Sequence, residues 1–207
     1  MTTNNWDETY ATVIRNMLNG ATNIAEPGEE GNYRSLDIRF SYGLNLGFPL
    51  LTARKVDFDK TKFDVLQMLL NLKREKIDEI CNGLYGQTTA IVRLEGFFEE
   101  YDLVFERVKN VLTLIVNVKD GKVVNIPELT ARLALFLELI GRSTSIKNLA
   151  LQFNYTFCRM NEEEVAVLRE LLEKETYDLP TVAFKKQTSA YDYDPSYVTL
   201  RNYHYSE

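Results

Sequence analysis

Cysteine and histidine are scarce in this sequence, with 2 Cys and 1 His among 207 residues. Two cysteines, Cys81 and Cys158, are too few for a disulfide framework, so we expect reduced thiols in a cytoplasmic protein. One histidine and two widely separated cysteines cannot complete a closed zinc site, and no metal centre is expected. A Ser-His-Asp triad would depend on His204, close to the last residue, and is not expected either.

The sequence also lacks an excess of basic residues. Its 24 Lys+Arg against 30 Asp+Glu give a net charge of −6, which argues against a general nucleic-acid-binding protein. A local basic pocket for one nucleotide remains open. Apolar stretches such as Leu133–Leu137 fall far short of the roughly 18–20 residues of a membrane span, and no basic segment followed by an apolar run opens the chain. No membrane association and no signal peptide are therefore expected.

What is present is a pattern typical of a folded domain: 45% hydrophobic residues with only 10 Gly and 5 Pro. Apolar residues recur at helical spacing in six segments. Asn5 and Glu8 have the spacing of a helix N-cap and its third helical residue, and Pro127 suits a first helical turn. The predicted helices are Asn5 to Gly20, Thr61–Lys73, Lys76–Asn82, Gly96–Asn110, Glu128–Ile140 and a segment carrying Val165–Leu172.

Alternation of apolar and polar residues predicts the strands Leu36–Tyr42 and Leu149–Phe157, and a β-branched apolar run predicts the strand Leu112–Val118. Asp120-Gly121 is a type I′ turn signal, which predicts a hairpin between the residues before and after it. The predicted strands are Leu36–Tyr42, Leu112–Val118, Val123–Val124, Leu149–Phe157, Thr181–Lys185 and Tyr197–Tyr203. Strands and helices are interleaved without a repeat or a linker. The sequence therefore predicts an α+β fold: one domain over residues 1–207 with a mixed sheet flanked by helices.

The segment Leu44–Val56, LNLGFPLLTARKV, resembles the thymidylate synthase family, in which a Phe-Pro-Leu-Leu-Thr segment is followed by basic residues. Further elements follow in the family's order: Tyr85-Gly86-Gln87, Asn125-Ile126, the strand Leu149–Phe157, Leu179-Pro180 and the final segment Tyr197–His204. The family also includes deoxypyrimidine nucleotide hydroxymethylases. The resemblance implies a thymidylate-synthase-like fold for the whole chain.

The resemblance also implies a chemistry. In the family a cysteine thiolate adds to C6 of a pyrimidine nucleotide, and C5 then attacks a one-carbon unit carried by a reduced folate. An Asn reads the base, a Glu organises proton transfer, and a His and a Tyr hold the ribose. The corresponding residues are Asn125, Tyr85, Asn154, Thr156 and Tyr203 for a pyrimidine mononucleotide, Arg54 and Lys55 for the folate side, and Asp64 for the Glu.

Each of these residues also has an ordinary structural interpretation. Asn125 suits the N-cap of the helix that follows, although its amide also suits a pyrimidine edge. Asp64 fits a solvated helix-face charge, and it is one methylene shorter than the family's Glu. Arg54 and Lys55 fit surface charges after a strand, and Tyr85 fits plain packing.

The departures from the family concern its nucleophile and its phosphate loop. No Pro-Cys-His triplet exists here. Cys81 precedes the Tyr-Gly element, and Cys158 ends a late strand, so both fit buried structural thiols. Glu29 and Glu30 stand where the family binds phosphate, and two carboxylates would repel that group. These losses favour a protein that keeps the scaffold without cysteine-dependent methyl transfer, as a homodimer or as a heterodimer with a complete relative.

Two alternatives stay open. The first is an active pyrimidine nucleotide C5 methyl- or hydroxymethyltransferase with rearranged residues, using Cys158 or Cys81 as nucleophile and Asp64 for acid-base work. The second is an unrelated α+β interaction module with a tyrosine-rich binding surface. The tyrosines of that surface are Tyr191, Tyr193, Tyr197, Tyr203 and Tyr205.

Overall fold

The structure of the chain is a computed structural model that describes most of the sequence. The described residues are 5–19, 33–34, 38–43, 46–85, 90–96, 98–108, 111–119, 125–141, 148–154, 159–160, 162–185 and 192–207. The predicted turn at Asp120-Gly121, the strand at Val123–Val124, and the site candidates Thr156 and Cys158 lie outside these residues.

Helices and strands are interleaved along the described part of the chain, as the sequence predicts. That part contains five helices: α1 (Asn5–Leu18), α2 (Phe58–Asn71), α3 (Arg74–Tyr85), α4 (Ile126–Gly141) and α5 (Glu162–Leu171). Helix α2 begins earlier than its apolar spacing indicates, because Asp57 accepts a hydrogen bond from the Lys60 N–H and caps the first turn.

The largest sheet has five strands in the order β2-β6-β5-β4-β3. Its strands are β2 (Ile38–Gly43), β3 (Ala90–Leu94), β4 (Tyr101–Val108), β5 (Val111–Val118) and β6 (Asn148–Asn154). Strands β5 and β6 pair in parallel and the other neighbours are antiparallel, so the predicted mixed sheet is confirmed. Two small antiparallel pairs complete the described strands: β1 (Tyr33–Arg34) with β7 (Arg159–Met160), and β8 (Thr181–Phe184) with β9 (Val198–Arg201).

The predicted helix at Gly96–Asn110 is wrong, because residues 101–108 form strand β4. The apolar residues of this segment fit both a helical and an alternating pattern. Within the strand, Tyr101, Leu103 and Phe105 are buried, while Asp102 and Val104 are partly exposed. Burial with a period of two is the strand pattern, and pairing on both sides, with β3 and β5, stabilises it.

The predicted partner of Leu112–Val118 is also different. Strand β5 pairs with β4 on one side and with β6 on the other, and both pairings are long. The hairpin that contains β5 therefore joins it to the preceding strand. The predicted strand at Leu112–Val118 is confirmed, but a local turn signal does not determine which neighbour a strand takes.

One hydrophobic core lies between the helices and one face of the five-stranded sheet. Leu94, Leu103 and Val116 lie in register across β3, β4 and β5 and are almost fully buried. Helix α4 packs onto this face, with the rings of Phe136 and Phe105 5.9 Å apart. The apolar composition of α4 predicts burial on most sides, and the structure confirms it.

The opposite face of the sheet, which we call the outer face, is only partly covered within the described residues. Register aligns Arg39, Ile115, Val104 and Arg93 across it in one row. Val104 and Ile115 are partly exposed, and Ile91 is 57% exposed. The described residues of the outer face include Arg39, Ser41, Ile91, Arg93, Asp102, Val104, Glu106, Val108, Thr113, Ile115 and Asn117.

Asp7 connects α1 to the Phe-Pro-Leu-Leu-Thr segment. This carboxylate is 5% exposed and accepts hydrogen bonds from Thr52 N at 3.0 Å, Ala53 N at 2.9 Å and Thr52 Oγ1 at 3.1 Å. Thr52 Oγ1 accepts in turn from the Tyr177 N–H at 2.8 Å. A buried carboxylate with several donors is strongly held, so Asp7 fixes this segment against α1.

Gly47 allows a second close approach in the same segment. Its φ of +136° is a backbone conformation that side chains rarely adopt, and a Cβ at this position would lie 2.8 Å from the Leu179 Cβ. The next residue, Phe48, donates its N–H to the Pro180 carbonyl at 2.9 Å. Two segments that the resemblance singles out, Gly47–Val56 and Leu179-Pro180, therefore meet in the fold.

Candidate functional site

Asp64 belongs to a cluster of charged side chains between α2 and α4. Arg132 Nη2 lies 2.5 Å from Asp64 Oδ2 and 3.8 Å from Glu128 Oε2, and Lys60 Nζ lies 3.9 Å from Glu128. Lys60 and Asp64 are four residues apart on α2, as are Glu128 and Arg132 on α4, so each pair shares one helix face. We call these four residues the α2–α4 charge cluster. Because the shortest contact of Asp64 is with a guanidinium, its carboxylate is already neutralised inside the protein.

Tyr101 lies under this cluster at the start of β4. It is 2% exposed, and its ring stacks on Phe98 with centroids 4.5 Å apart. Burial raises the pKa of Tyr101 to about 12, and the nearby Arg132 guanidinium opposes that shift. The Glu100 and Asp64 carboxylates add to it. The phenol is therefore neutral at physiological pH and is suited to donate a hydrogen bond rather than to act as a base.

Raising the pH should lower the free energy of unfolding, because Tyr101 is harder to ionise in the folded protein than in the unfolded chain. A pKa near 12 in the folded state, against about 10 in the unfolded chain, means that the neutral form favours folding. This contribution is complete below pH 10 and is lost as the pH rises through 12, so between pH 9 and 11 the free energy of unfolding should fall by about 1 kcal/mol. Urea titrations across this range should show a shallower decline for Tyr101→Phe. An identical decline in the variant would contradict the assignment.

The surroundings of Cys81 disfavour its thiolate form. Its Sγ donates to the Ile140 carbonyl at 3.7 Å, between α3 and α4. Burial raises the pKa of the Cys81 thiol, and the nearby Asp78 carboxylate adds to the shift. The reactive form of cysteine is the thiolate, which both effects disfavour. Cys81 and Asp64 lie on different helices, and no described contact joins them.

Asn125 caps helix α4. Its backbone carbonyl accepts from Leu129 N at 2.9 Å, and its Oδ1 accepts from Glu128 N at 3.3 Å. These are the bonds of a helix N-cap, and the exposed side chain has its acceptor facing the helix. A base-reading role for Asn125 stays a prediction.

Lys55 and Tyr203 line one groove, of about 830 Å³, between the start of α2 and strand β9. The Tyr203 hydroxyl accepts from Val56 N at 2.9 Å and donates to the Leu51 carbonyl at 2.8 Å, so it holds the Phe-Pro-Leu-Leu-Thr segment in place. The Lys55 ammonium lies 5.6 Å from the centre of the Tyr205 ring. The Arg54 carbonyl is 3.3 Å from the Tyr203 hydroxyl. Of the predicted site residues, the structure brings Arg54, Lys55 and Tyr203 together.

The remaining candidates are placed only by their backbone. Tyr85 is the last residue of α3, and Asn154 is the last residue of β6, where it lies in register with Asn117. Neither residue has a described contact with the groove or with the charge cluster, so their nucleotide-binding roles stay predictions.

Sequence reasoning missed Arg132 and Tyr101. A signal for Arg132 existed, because it is the one basic residue in the apolar segment Glu128–Ile140 and follows Glu128 by four positions. No signal marked Tyr101, since its segment was assigned to a helix.

Within the described ranges, no three His, Cys, Asp or Glu side chains converge into a group that could hold a metal ion. None of the described helices combines the length and the apolar composition that crossing a bilayer requires.

Comparison with known proteins adds no relative. No protein-family model matches the chain, and no curated protein matches it. The resemblance to thymidylate synthases therefore depends on the residues quoted above, and the assignment of a function depends on the site.

Proposed function

We propose that this chain has a thymidylate-synthase-like fold and acts as a non-catalytic subunit that pairs with a second copy of itself through the outer face of its sheet. The proposal extends the sequence resemblance, in which family members pack sheet faces together. Under this proposal the protein does not carry out cysteine-dependent methyl transfer.

The observation that supports a non-catalytic role is the pairing of Asp64 with Arg132 at 2.5 Å. The resemblance places the family's proton-transferring carboxylate at Asp64, and here that carboxylate is engaged in a hydrogen-bonded ion pair with Arg132. The described thiol, Cys81, has a raised pKa and donates to a backbone carbonyl. Covalent catalysis fails without an activated nucleophile, whereas a core survives on its hydrophobic pattern.

The outer face supports pairing between copies. It places partly exposed Val104 and Ile115 at its centre and charged Arg39 and Glu106 around them. An apolar centre with a charged rim of both signs is the usual composition of an association surface. On a two-fold axis the same surface meets itself, so each cation can face a carboxylate of the other copy.

Replacing Ile115 with lysine should separate the copies. In a two-fold interface the substitution buries two lysines at once, and an unpaired buried cation is costly. We expect the native protein to sediment at twice the 24.0 kDa protomer mass and Ile115→Lys at the protomer mass. Val167→Lys on α5 makes the same change at a position that is 51% exposed and should leave the dimer intact. A native protein that sediments as a protomer would overturn the homodimer, and only mixing with a complete relative would then test the heterodimer.

The same preparation tests the active-enzyme alternative. A 5-fluoro pyrimidine nucleotide traps an attacking thiolate as a covalent adduct, which mass spectrometry of the intact protein detects. We expect no adduct with dUMP-type or dCMP-type analogues, with or without a reduced folate. An adduct lost on replacing Cys81 or Cys158 would establish the alternative instead.

The groove beside Lys55 is the place where a reduced folate would fit. Such a ligand carries carboxylates and an aromatic ring system, and the groove offers Lys55 beside the apolar side chains of Phe58 and Leu200, while its Lys62 is paired with Asp59 at 3.2 Å. These residues would hold it by charge and by ring contacts, and bound folate would supply the one-carbon unit in the family's reaction. Binding alone, measured as a rise in melting temperature, is compatible with a non-catalytic subunit.

A further inference from the structure

A second groove, of about 560 Å³, lies between the α2–α3 junction and strand β3. Its apolar floor includes Leu72 and Leu94, which are 7% and 1% exposed. It shares no lining residue with the groove of Lys55 and Tyr203. We call it the β3 groove, and the residues that line it are Asn71, Leu72, Lys73, Lys76, Arg93, Leu94 and Glu95.

The β3 groove is basic in a protein that is acidic overall. It carries Lys73, Lys76 and Arg93 against Glu95, whereas the whole chain has a net charge of −6. Lys76 is paired with Glu79 at 2.9 Å. Lys73 and Arg93 are exposed, and neither has an ion-pair partner among the residues that the structure describes. Two cations without an ion-pair partner in the described residues, against the single carboxylate of Glu95 and beside an apolar floor, favour a ligand with carboxylates and an apolar body.

Strand β3 forms the edge of the five-stranded sheet beside this groove. It pairs with β4 on one side, and no strand in the described ranges pairs with its other side. An open edge offers N–H and C=O groups that can accept one more strand. The five residues of β3 provide about 16 Å of edge, and Ile91 on this strand is 57% exposed.

From these observations we infer that the β3 groove binds an extended acidic segment of a partner protein, which adds to the sheet as a strand beside β3. Backbone hydrogen bonds to β3 supply affinity in this mode, and the side chains that fit the adjacent groove supply specificity. Side chains of an added strand alternate between the two faces of the sheet, so carboxylates on the outer side would face Arg93, and apolar side chains on the opposite side would cover Leu72 and Leu94 beside Lys73. This binding does not depend on the proposed dimer.

Fluorescence anisotropy with a labelled peptide of alternating glutamate and valine tests the inference. Arg93→Glu should weaken binding by about tenfold or more, because it reverses the charge that faces the carboxylates, and Lys73→Glu should weaken it by a smaller factor, because Lys73 lies on the apolar side of the added strand. Arg169→Glu on α5 is the matched control, with the same charge change outside the groove, and should bind like the native protein. Binding unchanged by both groove substitutions, or no binding to the native protein, would overturn the inference.

Two further probes separate strand addition from simple anion binding. The same peptide with alternate backbone N-methyl groups keeps its carboxylates but cannot form the strand hydrogen bonds, so we expect about a tenfold loss or more. Inorganic phosphate should not compete, and equal binding of the N-methylated peptide or full competition by phosphate would overturn the proposed occupant. The Ile115→Lys variant should bind the peptide normally, so failure of the dimer proposal would be recognised separately.

Discussion

Replacing Asp7 with alanine is expected to lower the free energy of unfolding by about 3–5 kcal/mol, a large part of the roughly 5–15 kcal/mol that stabilises a typical domain. The carboxylate is 5% exposed and accepts from Thr52 N, Ala53 N and Thr52 Oγ1. Alanine removes all of these acceptors, and two buried N–H groups lose their partner. For a chain of 207 residues this corresponds to a fall in melting temperature of about 10 °C.

Asp7→Asn refines the test, because asparagine has nearly the same shape. One acceptor oxygen becomes an NH₂ group, which must then face a donor whichever way the amide is turned. We expect a loss of about 2 kcal/mol, smaller than for alanine. Glu8→Ala, at the exposed neighbouring position, should change stability by less than about 0.5 kcal/mol. Urea unfolding followed by circular dichroism measures all three variants, and an Asp7→Ala protein as stable as the native one would refute the structural role.

Asp7 also shows why part of the fold cannot be predicted from the sequence. In the first turn of α1, an aspartate has a sufficient local explanation as a favourable charge near a helix N-terminus. Its hydrogen-bond partners are 45 and 46 residues away in the chain. Local patterns predict α1 well, but they carry no information about which distant backbone approaches it.

The assignment of residues 101–108 failed for a related reason. Tyr101, Val104, Phe105 and Val108 are spaced as on a helix face, and the same segment alternates as a strand does. What selects the strand is pairing with β3 and β5 on either side, and β3 itself was not predicted. Long helices with strong caps, such as α4, were predicted because their stabilising contacts are close in sequence.

The sequence predicts the positions of individual site residues, but it does not predict how their side chains are arranged relative to one another. The sequence places Asp64 on a helix and Asn125 before another helix, and the structure agrees with both positions. The pairing of Asp64 with Arg132 depends on how α2 and α4 lie side by side, which no local pattern determines. This pairing distinguishes an Asp64 carboxylate that is held in an ion pair from one that is available for acid-base chemistry, so it is the contact to test.

Replacing Arg132 with methionine is expected to lower the free energy of unfolding by about 2 kcal/mol. Methionine keeps most of the aliphatic stem but removes the guanidinium, which leaves the Asp64 and Glu128 carboxylates together between α2 and α4. Their side chains are 32% and 29% exposed, so solvent screens part of the repulsion and limits the loss. Urea unfolding at low and high salt measures this loss in the free energy of unfolding. High salt should reduce the difference between Arg132→Met and the native protein, because it screens the repulsion between the two carboxylates.

A double-mutant cycle isolates the pair itself. We expect a coupling energy of about 1–2 kcal/mol between Arg132→Met and Asp64→Asn. Asp59→Asn is the matched control, because Asp59 lies on the same helix in an ion pair with Lys62 but is 90% exposed. This substitution should change the free energy of unfolding by less than about 0.5 kcal/mol. A coupling energy near zero would mean that Asp64 is not held by Arg132. The main support for a non-catalytic subunit would then be lost, and Asp64 would again be available for acid-base chemistry.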